Sequence, residues 1–251
     1  DIDNTPVKEE LLRANLKKRG YGDDQIKIAI NELVSKINNQ ADTLYEINQK
    51  VYSLLRYGRQ GVKDANGQRQ TVHYIDWVDI DKNDFAVAEE VSVLRYDKVT
   101  RKRPDLVLYI NGIAMGIFEL KSSYVSSGKG IRQMLTNQKK ENILNFFGAA
   151  QLLFAGNEAE GLFYGTINTP EKYYLKWKED KNATDDLSAK IKALQQKEAN
   201  RLRDGIISLC QKERFLSIVH DFVIYDAGIK KIPRHNQYFA NIAARKSILE
   251  K

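Results

Sequence analysis

The chain has 251 residues, of which 42% are hydrophobic and 29% charged. That is enough to bury roughly 70–75% of the surface its unfolded form exposes, and the balance excludes a disordered or collagen-like chain. No apolar run reaches the ~18 residues of a membrane span, no secretory signal is seen, and the lone Cys210 excludes an internal disulfide or a cysteine-rich metal cage. A cytoplasmic protein without membrane contact is therefore expected.

The net charge of +7 is spread unevenly. Residues 1–180 carry 26 basic and 25 acidic side chains, and residues 181–251 carry 14 and 8. From Lys98 to Lys140 there are nine basic residues, but the only acids are Asp105 and Glu119. A solvated face explains such a run most simply, yet a basic field around two carboxylates also suits a polyanion and a cation.

In chain order, Val7, Leu11, Leu12 and Leu16 share one helical face before Gly20 and Gly22 break the pattern. Ile26 to Ile37 and Leu44 to Leu55 repeat that spacing, so three helices are predicted before Gly58. A polar loop is predicted over Gly58 to Gln70. The period then becomes extended, with strands predicted over Val72 to Ile80, Phe85 to Tyr96, Pro104 to Ile110 and Ile113 to Leu120. A helix from Lys129 to Phe147 precedes short strands at Gln151 to Ala155, Leu162 to Ile167 and Tyr173 to Trp177. Thr184 to Arg203 reads as a charged, exposed helix that marks a boundary. The fold class is α/β or α+β, with a central mixed sheet flanked by helices and a helical C-terminal segment.

Pro104-Asp105 and the run Glu119-Leu120-Lys121 carry the chemistry. Asn111-Gly112 between two apolar runs is a strong hairpin signal, which puts Asp105 and Glu119 on neighbouring antiparallel strands. A regular two-residue loop leaves the two carboxylates on opposite faces. One extra residue, in the loop or as a bulge, pairs them on one face, and Lys121 then shares it. Two adjacent carboxylates repel unless a cation lies between them, and oxygen ligands suit Mg²⁺, or Mn²⁺ in its place, better than zinc. A lysine beside such a metal can orient a water and stabilise charge on a phosphate. A salt-bridged cluster at a sheet edge is the bland alternative.

At these residues the chain resembles the PD...(D/E)xK nuclease superfamily, and more closely the N-terminal nuclease region of the motor subunit of type I restriction enzymes. The resemblance implies a restriction-endonuclease-like core that cleaves double-stranded DNA. It makes Asp105, Glu119 and Lys121 catalytic, with Asp105, Glu119 and the Leu120 main-chain carbonyl as metal ligands. Glu9 matches a helix acid that related nucleases place near the metal, although a glutamate in a first helical turn also suits the helix dipole. Gln133 falls where related nucleases carry the Gln of a Gln-xxx-Tyr motif, but Asn137 stands in place of its Tyr. Arg101, Lys102, Arg103, Lys129 and Arg132 flank the motif and are expected to hold DNA phosphates with Gln133.

The resemblance further implies a nuclease domain over 1–180, a helical linker over 181–225 and the start of a helicase-like motor over 226–251. Arg234 to Phe239 resembles the lead into that motor, so ATP is expected to act only in the full-length subunit, beside modification and specificity subunits. The competing readings are a nuclease-derived module that binds DNA or subunits without cutting, and a resolvase or repair nuclease of the same superfamily. His73, His220 and His235 lack metal-ligand spacing and read as structural or surface residues.

Overall fold

The computed structural model describes residues 4–64, 66–183, 185–195 and 200–249. It opens on three helices, α1 (Glu9–Lys18), α2 (Asp23–Ile37) and α3 (Leu44–Tyr57), as the apolar spacing predicts. A capping box starts α3: the Glu46 N–H donates to Thr43 Oγ1 at 3.3 Å, and the Thr43 N–H donates to Glu46 Oε2 at 2.7 Å.

The polar stretch after Gly58 is a hairpin rather than a loop, with β1 (Arg59–Lys63) paired to β2 (Arg69–Val72). Asp64 Oδ1 turns it by accepting from the N–H groups of Asn66 and Gln68. Val62 and Val72 are its buried apolar residues, too few to stand out by alternation. The strand predicted over Val72 to Ile80 ends at Val72, because Asp76 Oδ1 accepts from the N–H groups of Val78 and Asp79 and folds the chain into a turn.

Next come β3 (Phe85–Glu89), β4 (Val93–Leu94), β5 (Arg101–Lys102), β6 (Leu106–Ile110) and β7 (Ile113–Leu120). Glu90, at φ +47°, divides β3 from β4. The helix α4 (Ser127–Asn137) is shorter than predicted. There the Asn142 side chain takes the Thr136 carbonyl and the Ile143 N–H takes that of Asn137, and a 3₁₀ turn follows at Leu144–Phe147. The strands β8 (Leu152–Asn157), β9 (Gly161–Gly165) and β10 (Leu175–Lys176) complete a six-stranded mixed sheet of order β10-β9-β8-β7-β6-β3. Its neighbours are antiparallel except β7 and β8, which run parallel across the α4 connection.

The sheet buries both faces. Leu108, Ile110, Ile113, Met115, Phe118, Leu152 and Phe154 meet the apolar stripes of α1, α2 and α3. Val107, Tyr109, Ala114, Ile117 and Leu153 face α4 through Met134, and the 3₁₀ turn through Phe146 and Phe147. Each fully buried side chain of this size contributes about 1.5–3 kcal/mol.

The single helix predicted over Thr184 to Arg203 is α5 (Asp186–Gln195) and α6 (Arg201–Cys210), with residues 184 and 196–199 outside the described residues. After α7 (Lys212–Ser217) and a π-helical turn at Ile218–Phe222 come the hairpin β11 (Ile224–Asp226) and β12 (Ile229–Lys231), then α8 (His235–Leu249). This region packs into the same core. Leu209, Phe215, Ile218, Val219 and Tyr238 join the layer under the sheet, and buried Lys230 donates to Asn48 Oδ1 at 2.8 Å and Gln151 Oε1 at 2.7 Å. No described helix is long and apolar enough to cross a membrane.

Candidate active site

Asn111 and Gly112 both have positive φ, which makes a two-residue turn that pairs Ile110 with Ile113. Only glycine fits at position 112, because an added Cβ would stand 2.7 Å from the Lys8 carbonyl oxygen. Such a turn alone would put Asp105 and Glu119 on opposite faces. After the next pair the register shifts: Tyr109 pairs with Ala114, but Leu108 pairs with Gly116, so Met115 is an extra residue. Leu106 then faces Phe118, and the same register carried one step beyond the ladder sets Asp105 opposite Glu119. Alternation from Val107 and Ile117 turns both carboxylates toward the face covered by α4, and Lys121 follows Glu119 on that side.

The local bonds agree with this register. The Leu120 N–H donates to Asp105 Oδ2 at 2.6 Å, and Lys121 Nζ donates to Glu119 Oε1 at 3.0 Å. A strand residue's N–H and C=O point to the same side, so the Leu120 carbonyl also faces Asp105. Glu119 is only 1% exposed, and its second oxygen, Oε2, is buried with no hydrogen-bond partner. Burial pushes its carboxyl up to about 7, reinforced by the charge of Asp105 and opposed by Lys121. An orphaned buried carboxylate oxygen is costly unless a cation meets it. Among the described residues no group of three or more His, Cys, Asp and Glu is placed to hold a metal. The donors present, two carboxylates and a carbonyl, fit Mg²⁺ or Mn²⁺ completed by water better than Zn²⁺.

Helix α4 closes this site. Gly130 lies in its buried stripe, where an added Cβ would stand 2.9 Å from the Glu119 carbonyl oxygen. The run Gly128-Lys129-Gly130 lies in the first turn of a helix that approaches the strand closely. Ile131 and Leu135 pack toward β8 and β9 with Ala155, Phe163 and Tyr174. At 100° per residue, Gln133 and Lys129 fall on the other flank, toward β7, and both are exposed. Asn137 is buried with both amide atoms unpartnered. Its position in the motif made it visible in the sequence; its burial needed the packed helix.

Other expected residues lie elsewhere. Glu9 corrects the sequence expectation. The Lys8 N–H donates to the Gly112 carbonyl, and Pro6 accepts from Ala114, which ties the start of α1 to the turn end of the β6–β7 hairpin. Six strand residues separate that end from Glu119, about 20 Å at ~3.3 Å per residue. Glu9 is therefore exposed far from the other two acids. Arg132 points away from β7 and pairs with Glu171 at 2.6 Å. Arg103 pairs with Glu90 at 3.6 Å, and Arg101 Nη1 lies 3.4 Å from Ser92 Oγ. Lys102 stands opposite Val93 in the β4–β5 hairpin. His220 lies with its ring tilted at 41° and 4.9 Å from that of Trp77 and bonds Asp221 at 2.7 Å, a structural role.

The family model described as the type I restriction enzyme R protein N terminus matches residues 1–172. The chain belongs to this family. It is 26% identical over 93% of its length to a protein of Methanocaldococcus jannaschii described as the MjaIXP type I restriction enzyme endonuclease subunit. It is 24% identical over 76% of its length to the type I restriction enzyme HindI endonuclease subunit of Haemophilus influenzae. The chain spans 23% and 18% of the lengths of these two relatives.

Proposed function

We propose that this chain is the nuclease domain of a type I restriction enzyme motor subunit and cleaves phosphodiester bonds of double-stranded DNA with Mg²⁺, or Mn²⁺ in its place. One observation carries the reading: the Met115 bulge brings Asp105 opposite Glu119, with Lys121 beside them. A hairpin of this sequence has no packing need for two acids on one face, one of them buried with an orphaned oxygen. Membership of the type I restriction R protein family and similarity to proteins named as endonuclease subunits support it.

In this reading Asp105 Oδ1, Glu119 Oε2 and the Leu120 carbonyl would hold the cation. When bound, it supplies Lewis acidity at the scissile phosphate and a more acidic water. The Leu120 N–H fixes the Asp105 carboxylate through Oδ2, which would leave its other oxygen available to hold the cation. Lys121, whose ammonium donates to Glu119 at 3.0 Å and is partly exposed, would stabilise negative charge developing on the phosphate. Gln133 and Lys129, on the β7 flank of α4, orient the DNA backbone. Arg101, Lys102 and Arg103 add basic field, and Arg132 contributes only if DNA displaces Glu171. ATP-driven translocation belongs to parts of the subunit outside this chain, and modification and specificity subunits are its proposed partners in the cytoplasm.

The test is supercoiled-plasmid nicking with Mg²⁺ or Mn²⁺ by the full-length subunit in its complex, comparing wild type with Asp105→Ala, Glu119→Ala and Lys121→Ala. Cleavage should fall by about 10²-fold or more with ATP-driven translocation retained. Variants that cut at the wild-type rate overturn the assignment. Asn137, in place of a tyrosine, favours a second reading in which the domain binds DNA without cutting. A wild-type complex that binds Mg²⁺ calorimetrically and translocates, yet never nicks, would establish it.

A further inference from the structure

The basic run from Lys98 to Lys140 is not absorbed by the triad, and the fold gives it a place. The β4–β5 hairpin folds over the same face of the sheet as α4, since Val91 and Val93 share a core with Val107, Met134 and Phe146. The hairpin and the end of α4 meet where the Tyr96 N–H donates to the Asn142 carbonyl at 3.0 Å. Beside that contact lies a cavity of about 210 Å³. Arg95, Lys98 and Lys140 line it together with Tyr96, which is 60% exposed. The exposed amides of Asn38 and Gln40 line it as well.

Three cations around so small a volume repel one another unless an anion enters. Asp42 lines the cavity but is held by Lys50 at 2.6 Å and by Asn39 at 2.8 Å. Asp97 is exposed at the hairpin turn, where its carboxylate is taken up by the N–H groups of Val99 and Thr100, and it lies 3.8 Å from Arg95. Glu141 is exposed next to Lys140. Arg95 Nε is buried without a partner, and its Nη1 donates to the Thr100 hydroxyl at 3.1 Å with the Asp97 carboxylate further off, at 3.8 Å. The positive field is thus left partly uncompensated by the protein.

The cavity also has a fixed relation to the triad. Gly130 lies against Glu119 at one end of α4, and Lys140 follows its other end. At 1.5 Å per residue α4 rises about 10 Å from Gly130 to its end at Asn137, and Lys140 lies three residues beyond, so the separation is on the order of 10–20 Å, or about three to six steps of a duplex at ~3.4 Å. We propose that the cleft between the β4–β5 hairpin and the end of α4 is a second, distal DNA contact, where Arg95, Lys98 and Lys140 hold duplex backbone phosphates roughly half a helical turn from the scissile bond and Tyr96 lies against the sugars. This rests on the nuclease reading for its register with the triad, whereas the binding itself is measured without cleavage.

The experiment uses the full chain carrying Asp105→Ala, in Ca²⁺, with two unrelated 30-base-pair duplexes and fluorescence anisotropy over a KCl series. Lys98→Ala and Lys140→Ala should each lower the magnitude of d log K/d log[salt] by roughly 0.9, equally on both duplexes, and the double variant by nearly twice that. Lys27→Ala on exposed α2 serves as the control and should change nothing. Tyr96→Ala should weaken binding without changing the slope, and Tyr96→Phe should restore it. Unchanged slopes and affinities, with thermal unfolding like the parent's, overturn the proposal. Unchanged DNA binding with lost assembly onto the other subunits overturns it in favour of a protein partner. If the parent Asp105→Ala chain still nicks plasmid in Mg²⁺, the nuclease assignment fails while the slopes still report on the cleft.

Discussion

Replacing Glu119 by glutamine should stabilise the metal-free protein while destroying its response to metal. The wild-type carboxyl is raised from 4.5 to about 7, first by burial and next by the neighbouring Asp105. The folded protein therefore binds this proton more tightly than the unfolded chain does, and stability falls as pH rises from about 4.5 through 7. That interval is worth about 3 kcal/mol between the two protonation states, a cost fully present at pH 8 and reduced to about 1 kcal/mol at pH 5. Glu119→Gln keeps the shape and removes the charge. Lys121 loses the opposite charge at 3.0 Å, but the glutamine oxygen can still accept from it and its side chain retains access to water, so this offsets only part of the gain. In urea unfolding without divalent cations, the variant should exceed wild type by up to about 3 kcal/mol at pH 8 and by about 1 kcal/mol at pH 5. Adding Mg²⁺ at pH 8 should stabilise wild type by binding the native state and leave the variant unmoved. A variant no more stable than wild type at pH 8, or one that gains equally from Mg²⁺, would falsify the account of Glu119 as a buried metal-binding carboxylate.

Four further outcomes follow from the geometry. Gly130→Ala should cost about 1–3 kcal/mol in thermal or urea unfolding and slow nicking, because the new methyl meets the Glu119 carbonyl oxygen at 2.9 Å. Deleting Met115 removes the bulge and turns Glu119 to the opposite face; the deletion should abolish Mn²⁺ binding by calorimetry, and wild-type affinity would refute the register. Lys129→Ala should weaken DNA binding and lower its salt slope more than Arg132→Ala does, since Arg132 faces away and is occupied by Glu171, an exposed pair worth no more than about 1 kcal/mol. Buried Lys230 meets only neutral acceptors, and its burial holds its pKa well below the usual lysine value. The unfolded chain then binds more protons, so stability should rise from pH 7 toward 10 in wild type and much less in Lys230→Met, measured by thermal unfolding.

Much of the site was legible before any coordinates. Asn111-Gly112 between apolar runs sets Asp105 and Glu119 on adjacent strands, and the bounds of Ile113 to Leu120 are legible because all but Gly116 and Glu119 are apolar residues that suit a sheet buried on both sides. The three N-terminal helices were equally legible, since each carries its own apolar stripe. Face was not legible: a two-residue turn and a bulged hairpin read identically in sequence. Packing around Met115 and Gly116 decided between them, and with that choice whether two acids meet. Glu9 failed for a related reason. Its helix position was predicted correctly, but only the bonds from Lys8 and Pro6 to the β6–β7 hairpin show at which end of the sheet α1 begins. Likewise, the polarity of Arg59 to Val72 hid a hairpin whose inward residues are only Val62 and Val72. Local propensity and periodicity thus determined which elements form. Tertiary contacts decided register, sheet end and helix flank, because these depend on which surfaces meet rather than on any property of the residues in isolation.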